Sequence, residues 1–213
     1  MTYLLTAGPT REALDPVRYL TNHSSGKMGY ALAGTAAHDG HRVILISGPT
    51  ALDVPAGVDF IPVTTAAEMF DAVSHWIGYA EVAIFTAAVA DYRPAVFSPE
   101  KLKKTGEVLT LELVRTADIL GSARAVFGFT GKLVGFAAET SRLEEHARKK
   151  LLEKSCDLVV GNDVSRRDIG FGADDNEVVL VTRAGTRHVA RADKLTIARE
   201  ILDAIDALPA ELG

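Results

Sequence analysis

Tyr3-Leu4-Leu5-Thr6-Ala7, closed by Gly8, and Arg42-Val43-Ile44-Leu45-Ile46-Ser47, closed by Gly48, stand on either side of a helical pattern at Lys27–Asp39. Short apolar runs that end in glycine and are separated by helical spacing read as buried strands joined by crossover helices. The alternation continues along the chain. Val58–Val63, Val82–Ala88, Lys132–Ala138 and Asp157–Gly161 repeat the strand pattern, and Ala66–Tyr79, Asp118–Phe127, Arg142–Glu153 and Lys194–Leu208 repeat the helical one. Ser141 followed by Glu144 predicts a capping box at the start of the fourth helix.

This order predicts an α/β protein: a three-layer αβα sandwich around a Rossmann-like or ribokinase-like, mostly parallel sheet. Two segments break the rhythm. Val108–Val114 alternates as a strand with one polar face, and Glu177–Thr182 and Arg187–Arg191 flank a turn as a hairpin. They predict a small antiparallel β annex, from about 96–115 and 177–191, suited to dimerisation. No linker or repeat interrupts the 213 residues, so a single domain over 1–213 is expected.

Composition excludes several functions. A net charge of −5 argues against a general nucleic-acid binder, which needs a basic face. No stretch approaches the roughly 18 apolar residues of a membrane span, and the N-terminus lacks the basic start of a signal peptide. Cys156 is the only cysteine, which precludes an intrachain disulfide and suits a cytoplasmic location. A small buried hydrophobe is its expected role. The six histidines show no metal-ligand spacing.

In open α/β sheets ligands bind beyond the carboxyl ends of the strands. Polar and small residues gather there. Asn22-His23-Ser24-Ser25-Gly26-Lys27-Met28-Gly29 leads into a helix whose N–H groups suit an anion, or merely supplies an N-cap serine. It is no Walker A loop, because Thr21 and Met28 stand where glycine and Ser/Thr are required, and the G-x-G-x-x-G fingerprint is missing after the first strand. Ala87-Ala88-Val89-Ala90-Asp91 lets a ligand approach the backbone, with Asp91 as acceptor or as a turn residue. Lys101, Lys103 and Lys104 lie in an apparent loop, suited to phosphate or simply solvated. Lys150 and Lys154 share one helix face, where they meet phosphates or complement the macrodipole. Asn162–Ser165 and Gly170–Asn176 are further strand-end loops, serving substrate, magnesium or turns.

The run Thr6–Glu12, Leu14-Asp15-Pro16-Val17-Arg18-Tyr19 and Asn22–Gly29, with Ala87–Arg93, Pro99–Lys104, Val134–Thr140 and Asn162–Ser165, resembles bacterial phosphopantothenate–cysteine ligase over nearly the whole chain. The resemblance implies a step of coenzyme A biosynthesis. The 4′-phosphopantothenate carboxylate attacks CTP to give an acyl-cytidylate and pyrophosphate, and L-cysteine then displaces CMP. It implies Mg2+ as the assisting ion and CTP as co-substrate. By matching position it implies catalytic roles for Asn22 (phosphopantothenate and intermediate) and Lys101 (charge on the phosphates). It further implies nucleotide contacts from Ala87, Asp91, Asp118, Ile119, Phe136, Lys150 and Lys154. A homodimer is implied, as is a fused or separate flavin-dependent decarboxylase partner. Thr116-Ala117 replaces the Asn-Pro common before the position of Asp118, so ATP in place of CTP is an alternative. A catalytically silent nucleotide sensor is the second. A nicotinamide-dependent reductase is disfavoured, because no tyrosine has a lysine four residues on.

Overall fold

The computed structural model describes residues 1–104, 106–165, 169 and 172–209. In chain order the elements are β1 (Thr2–Ala7), β2 (Arg11–Ala13), β3 (Tyr19–Thr21), α1 (Lys27–His38), β4 (Arg42–Ser47), β5 (Val58–Pro62), α2 (Ala66–Trp76), β6 (Val82–Phe85), β7 (Tyr92–Pro94), β8 (Leu113–Arg115), α3 (Ile119–Ala125), β9 (Lys132–Glu139), α4 (Leu143–Glu153), β10 (Leu158–Asp163), β11 (Asp175–Thr182), β12 (Thr186–Asp193) and α5 (Lys194–Asp206). Eight strands form one sheet in the order β12-β11-β10-β9-β6-β1-β4-β5, and β10 to β5 in that order are all parallel. Among the described residues no helix is long and apolar enough to cross a membrane.

Strand alternation builds the two outer layers. Tyr3, Leu5, Val43, Leu45 and Ile84 face Leu32 of α1 and Ile197 and Ile201 of α5. Leu4, Ile44, Ile46, Ala83 and Phe85 face Met69 and Val73 of α2, Ala123 of α3 and Ala147 and Leu151 of α4. The chain runs outward from β1 through β4 to β5 and returns to β6 on the other side of β1. The direction of winding therefore reverses between β1 and β6, and the crevice at their carboxyl ends is where an α/β sheet places its ligand.

The three-layer sandwich is the predicted fold, with four local corrections. Only Leu113 and Val114 of the expected Val108–Val114 strand fall in a strand, β8, which pairs with Tyr92–Pro94. A strand needs a neighbour for its N–H and C=O groups, and among the described residues no strand pairs with the exposed residues 108–111. The 177–191 hairpin forms, but it is continuous with the main sheet, because β11 pairs antiparallel with β10. The fourth strand ends at Phe85 rather than Ala88, because the chain turns there to bond the β1 loop: Ala88 N–H donates to Gly8 O at 3.0 Å. Helix α4 starts without the Ser141 capping box. Arg142, at φ 47°, is its N-cap and makes no side-chain cap bond. That puts Glu144 one position too early to close a box, and Arg142 pairs instead with Glu145 at 3.6 Å.

Candidate active site

A cleft of about 1310 Å³ opens at the carboxyl ends of β1, β6 and β9. One wall is the loop into α1. Gly26 caps this helix in a left-handed conformation (φ 79°) and makes no side-chain cap bond; the hydroxyls of Ser24 and Ser25 accept the N–H groups of Gly26 and Lys27 at 3.3 and 3.4 Å, and this first turn lines the cleft. A Cβ on Gly29 would meet Thr86 Oγ1 at 2.4 Å, which explains how α1 lies so close to the β6 end. The loop after β4 packs on the same turn. A Cβ on Gly48 would meet Pro9 O at 1.9 Å, and one on Gly26 would meet Thr50 Cγ2 at 2.7 Å. This loop fills the space beside the β1 turn, consistent with the missing dinucleotide fingerprint.

Asn22, Ala87, Asp91, Asp118, Ile119, Phe136, Lys150 and Lys154 all line this cleft. They come from five separate stretches of chain, brought together by the parallel strand order. Asn22 Nδ2 donates to Ala88 O at 2.9 Å, tying the α1 loop to the β6 end. Asp118 caps α3, accepting from Gly121 N at 2.9 Å, and forms an ion pair with Lys154. Burial opposes its ionisation, but the Lys154 ammonium and the Gly121 N–H outweigh it and hold the carboxyl below its ordinary value. Lys150 Nζ donates to Phe136 O at 2.7 Å, and burial pushes its ammonium below the usual lysine range. The shared face of Lys150 and Lys154 thus turns into the cleft rather than out to solvent.

Lys101 is exposed in the Pro99–Lys104 loop and is not part of the cleft lining. Asn162, Val164 and Asn176 line the cleft, but Asn162 lies in β10 and Asn176 in β11 rather than in the expected loops, because β11 pairs with β10 as far as Asn162 and with β12 as far as Asn176 and beyond. Of the second such loop, Gly170 and Phe171 lie outside the described residues. Cys156 is buried, and burial pushes its thiol up to about 12, in keeping with a packing role.

The sequence pattern does not single out Lys194. It lines the cleft from the first turn of α5, where a cation opposes the dipole, and that misplaced charge was the available signal. It is 8% exposed, and its Nζ donates to the Ala173 and Asp175 carbonyls. Thr116, which departs from the family pattern, also lines the cleft. Its hydroxyl donates to Ala90 O at 2.6 Å and its N–H to Asp91 O at 3.0 Å, fastening the α3 approach to the β6 end.

Among the described residues no group of three or more His, Cys, Asp or Glu side chains is placed to hold a metal. Among the described residues two carboxylates line the cleft, and Asp118 is engaged by Lys154, which leaves Asp91. One carboxylate suits a magnesium ion carried mainly by phosphate oxygens and water.

The model of the DNA/pantothenate metabolism flavoprotein C-terminal domain matches residues 1–208. The coenzyme A biosynthesis bifunctional protein CoaBC of Bacillus subtilis (strain 168) is 50% identical over 215 residues, covering 99% of this chain and 52% of the relative. The chain thus spans about half the length of the curated relatives it matches. The crystal structure of the C-terminal domain of a CoaBC protein is 42% identical with a TM-score of 0.82, covering 96% of this chain and 93% of that one. The DNA/pantothenate metabolism flavoprotein of Streptococcus pneumoniae is 27% identical with a TM-score of 0.84, covering 97% and 99%. A match along nearly its whole length, in both sequence and fold, means that the chain belongs to the family of DNA/pantothenate metabolism flavoprotein C-terminal domains.

Proposed function

We propose that this chain ligates 4′-phosphopantothenate to L-cysteine in coenzyme A biosynthesis, activating the carboxylate with CTP. The observation that carries the reading is the convergence of Asn22, Asp91, Asp118, Lys150 and Lys154 on one cleft at the winding reversal. A carboxylate oxygen of phosphopantothenate attacks the α-phosphorus of CTP, and the bond to the β-phosphate breaks to release pyrophosphate. The cysteine amine then attacks the acyl carbon, the C–O bond to the cytidylate breaks, and CMP leaves.

The substrates supply both nucleophiles, so the protein's contribution is orientation and charge neutralisation. Lys150 and Lys154 face the triphosphate, while Asp118, Ile119 and Phe136 form the base side and Ala87 the close backbone approach. Asn22 orients the phosphopantothenate carboxylate. Lys101 meets charge that develops on the phosphates. A magnesium ion, when bound, would be held by Asp91 and would supply further neutralisation of the triphosphate.

The active form is a homodimer, supported by the exposed apolar side chains Val96, Phe97, Val108 and Leu109 beside β7 and β8. A flavin-dependent decarboxylase, fused or separate, acts on the product. The reaction belongs in the cytoplasm, where the free Cys156 and a thiol substrate both stay reduced.

Pyrophosphate release from the purified protein with magnesium, 4′-phosphopantothenate and cysteine, comparing CTP with ATP, tests the reading. CTP-dependent release with CMP and phosphopantothenoylcysteine as products is expected. Release with ATP alone would overturn the base assignment, and release with neither would favour a silent nucleotide sensor.

A further inference from the structure

Asp15 sits in the turn between β2 and β3 and is 2% exposed. Its Oδ1 accepts the N–H groups of Val17 and Arg18, each at 2.8 Å. Its Oδ2 accepts Arg18 Nε at 3.0 Å and Nη2 at 2.5 Å. A solvated aspartate would satisfy such a turn equally well. The remaining bonds are not local. Oδ2 also accepts the N–H of Leu102 at 3.0 Å, and Arg18 Nη2 donates to the Leu102 carbonyl at 2.8 Å. The pair therefore grips both backbone polar groups of one residue in a loop remote in sequence. Ser98 N–H adds a third tie, donating to Leu14 O at 3.0 Å.

Leu102 adjoins Lys101. The three lysine side chains of this loop are exposed, while the backbone beside Lys101 is pinned by charge-assisted hydrogen bonds, the stronger kind. The same turn continues through β3 to Asn22, so one short segment sets both reactive positions assigned above.

The geometry points to Asp15 as a positioning residue that, through Arg18, fixes the lysine loop so that Lys101 meets the phosphates from a preset backbone position. This rests on the reading of Lys101 as the charge-neutralising group. An ordered loop lowers the entropic cost of placing that charge in the transition state.

Asp15→Asn in the full chain is the test. The amide keeps one oxygen for the Val17 and Arg18 N–H groups but turns a donor toward Leu102 and the guanidinium. Hydrogen exchange over residues 98–104 should quicken about tenfold or more without change in the sheet. Single-turnover acyl-nucleotide formation should fall by about tenfold to a hundredfold, with nucleotide KM changed less than about twofold. Unchanged loop exchange, or a loosened loop with normal turnover, would overturn the role. If Asp15→Asn does not fold, Arg18→Lys, which keeps the charge and loses the fork, is read by the same two measurements. Near-normal turnover in Lys101→Gln would instead remove the reading beneath the proposal. An inactive Lys101→Gln beside a fully active Asp15→Asn sinks the positioning role alone.

Discussion

Asn22 and Ala88 are joined side chain to backbone across the mouth of the cleft, with Asn22 Nδ2 2.9 Å from the Ala88 carbonyl oxygen. Ala88 O also accepts Thr10 N–H at 3.3 Å, so one carbonyl anchors two points of the β1–α1 connection. Asn22→Asp removes the donor, sets a carboxylate against a carbonyl and repels an anionic substrate. Phosphopantothenate-dependent product formation should fall about tenfold or more, equivalent to at least about 1.4 kcal/mol of transition-state stabilisation. The melting temperature should hold, because Asn22 is exposed. Quench-flow with isotopically labelled phosphopantothenate checks this, and an unchanged single-turnover trace would remove Asn22 from the site.

Lys101→Gln separates binding from chemistry. The side chain is exposed and outside the cleft lining, so the unligated protein should keep its stability within about 0.5 kcal/mol. Pyrophosphate release should drop by about a hundredfold or more, as happens when a group stabilising transition-state charge is lost. Equilibrium nucleotide binding, measured by calorimetry, should change little. A variant that turns over normally would show that the loop lysine takes no part.

The Asp118–Lys154 pair offers a test in pH. The folded carboxyl titrates below its ordinary value, so in the acid range the unfolded chain binds more protons than the native one. The pair's contribution to stability is therefore complete above the ordinary aspartate value and is lost as pH falls through the lowered one. Lys154→Ala should flatten that acid limb in denaturant titrations at successive pH values. If Lys154 meets the phosphates as proposed, the variant should also raise the KM for the nucleotide about tenfold. An identical acid limb in the variant would mean that the pair contributes nothing in solution.

The central strands were legible because they are continuous apolar runs, and the helices because their apolar residues recur on one face. Lys150 and Lys154 could be placed together from spacing alone, and the structure puts both in the cleft. Val108–Val114 misled because alternation records a residue's type and not whether a partner strand lies beside it. Residue pairs joined by long-range contacts were beyond reach. The Asp15 carboxylate looks like an ordinary turn residue until Leu102 is brought against it. Lys194 looks like a poor helix start until the Ala173 and Asp175 carbonyls surround its ammonium.

The arm between β7 and β8 carries exposed apolar side chains together with the lysine loop. Val96 is 80% and Val108 81% exposed, and Phe97 and Leu109 are more than half exposed, yet the same arm carries Lys101. So many large apolar side chains in one short arm would be left in water in a monomer, and their burial against a second copy contributes roughly 1.5–3 kcal/mol for each one fully covered. The combined substitution Val108→Asp, Leu109→Asp puts two charges on that surface without touching the core. Sedimentation equilibrium should show a dimer for the unaltered chain and a monomer for the variant, with the melting temperature measured at a protein concentration where each is fully in one state. Because the arm also holds the lysine loop, ligation by the variant should fall more steeply on dilution than ligation by the parent. A parent chain that sediments as a monomer at micromolar concentration would reject the dimer, and a dimeric variant would move the interface away from this arm.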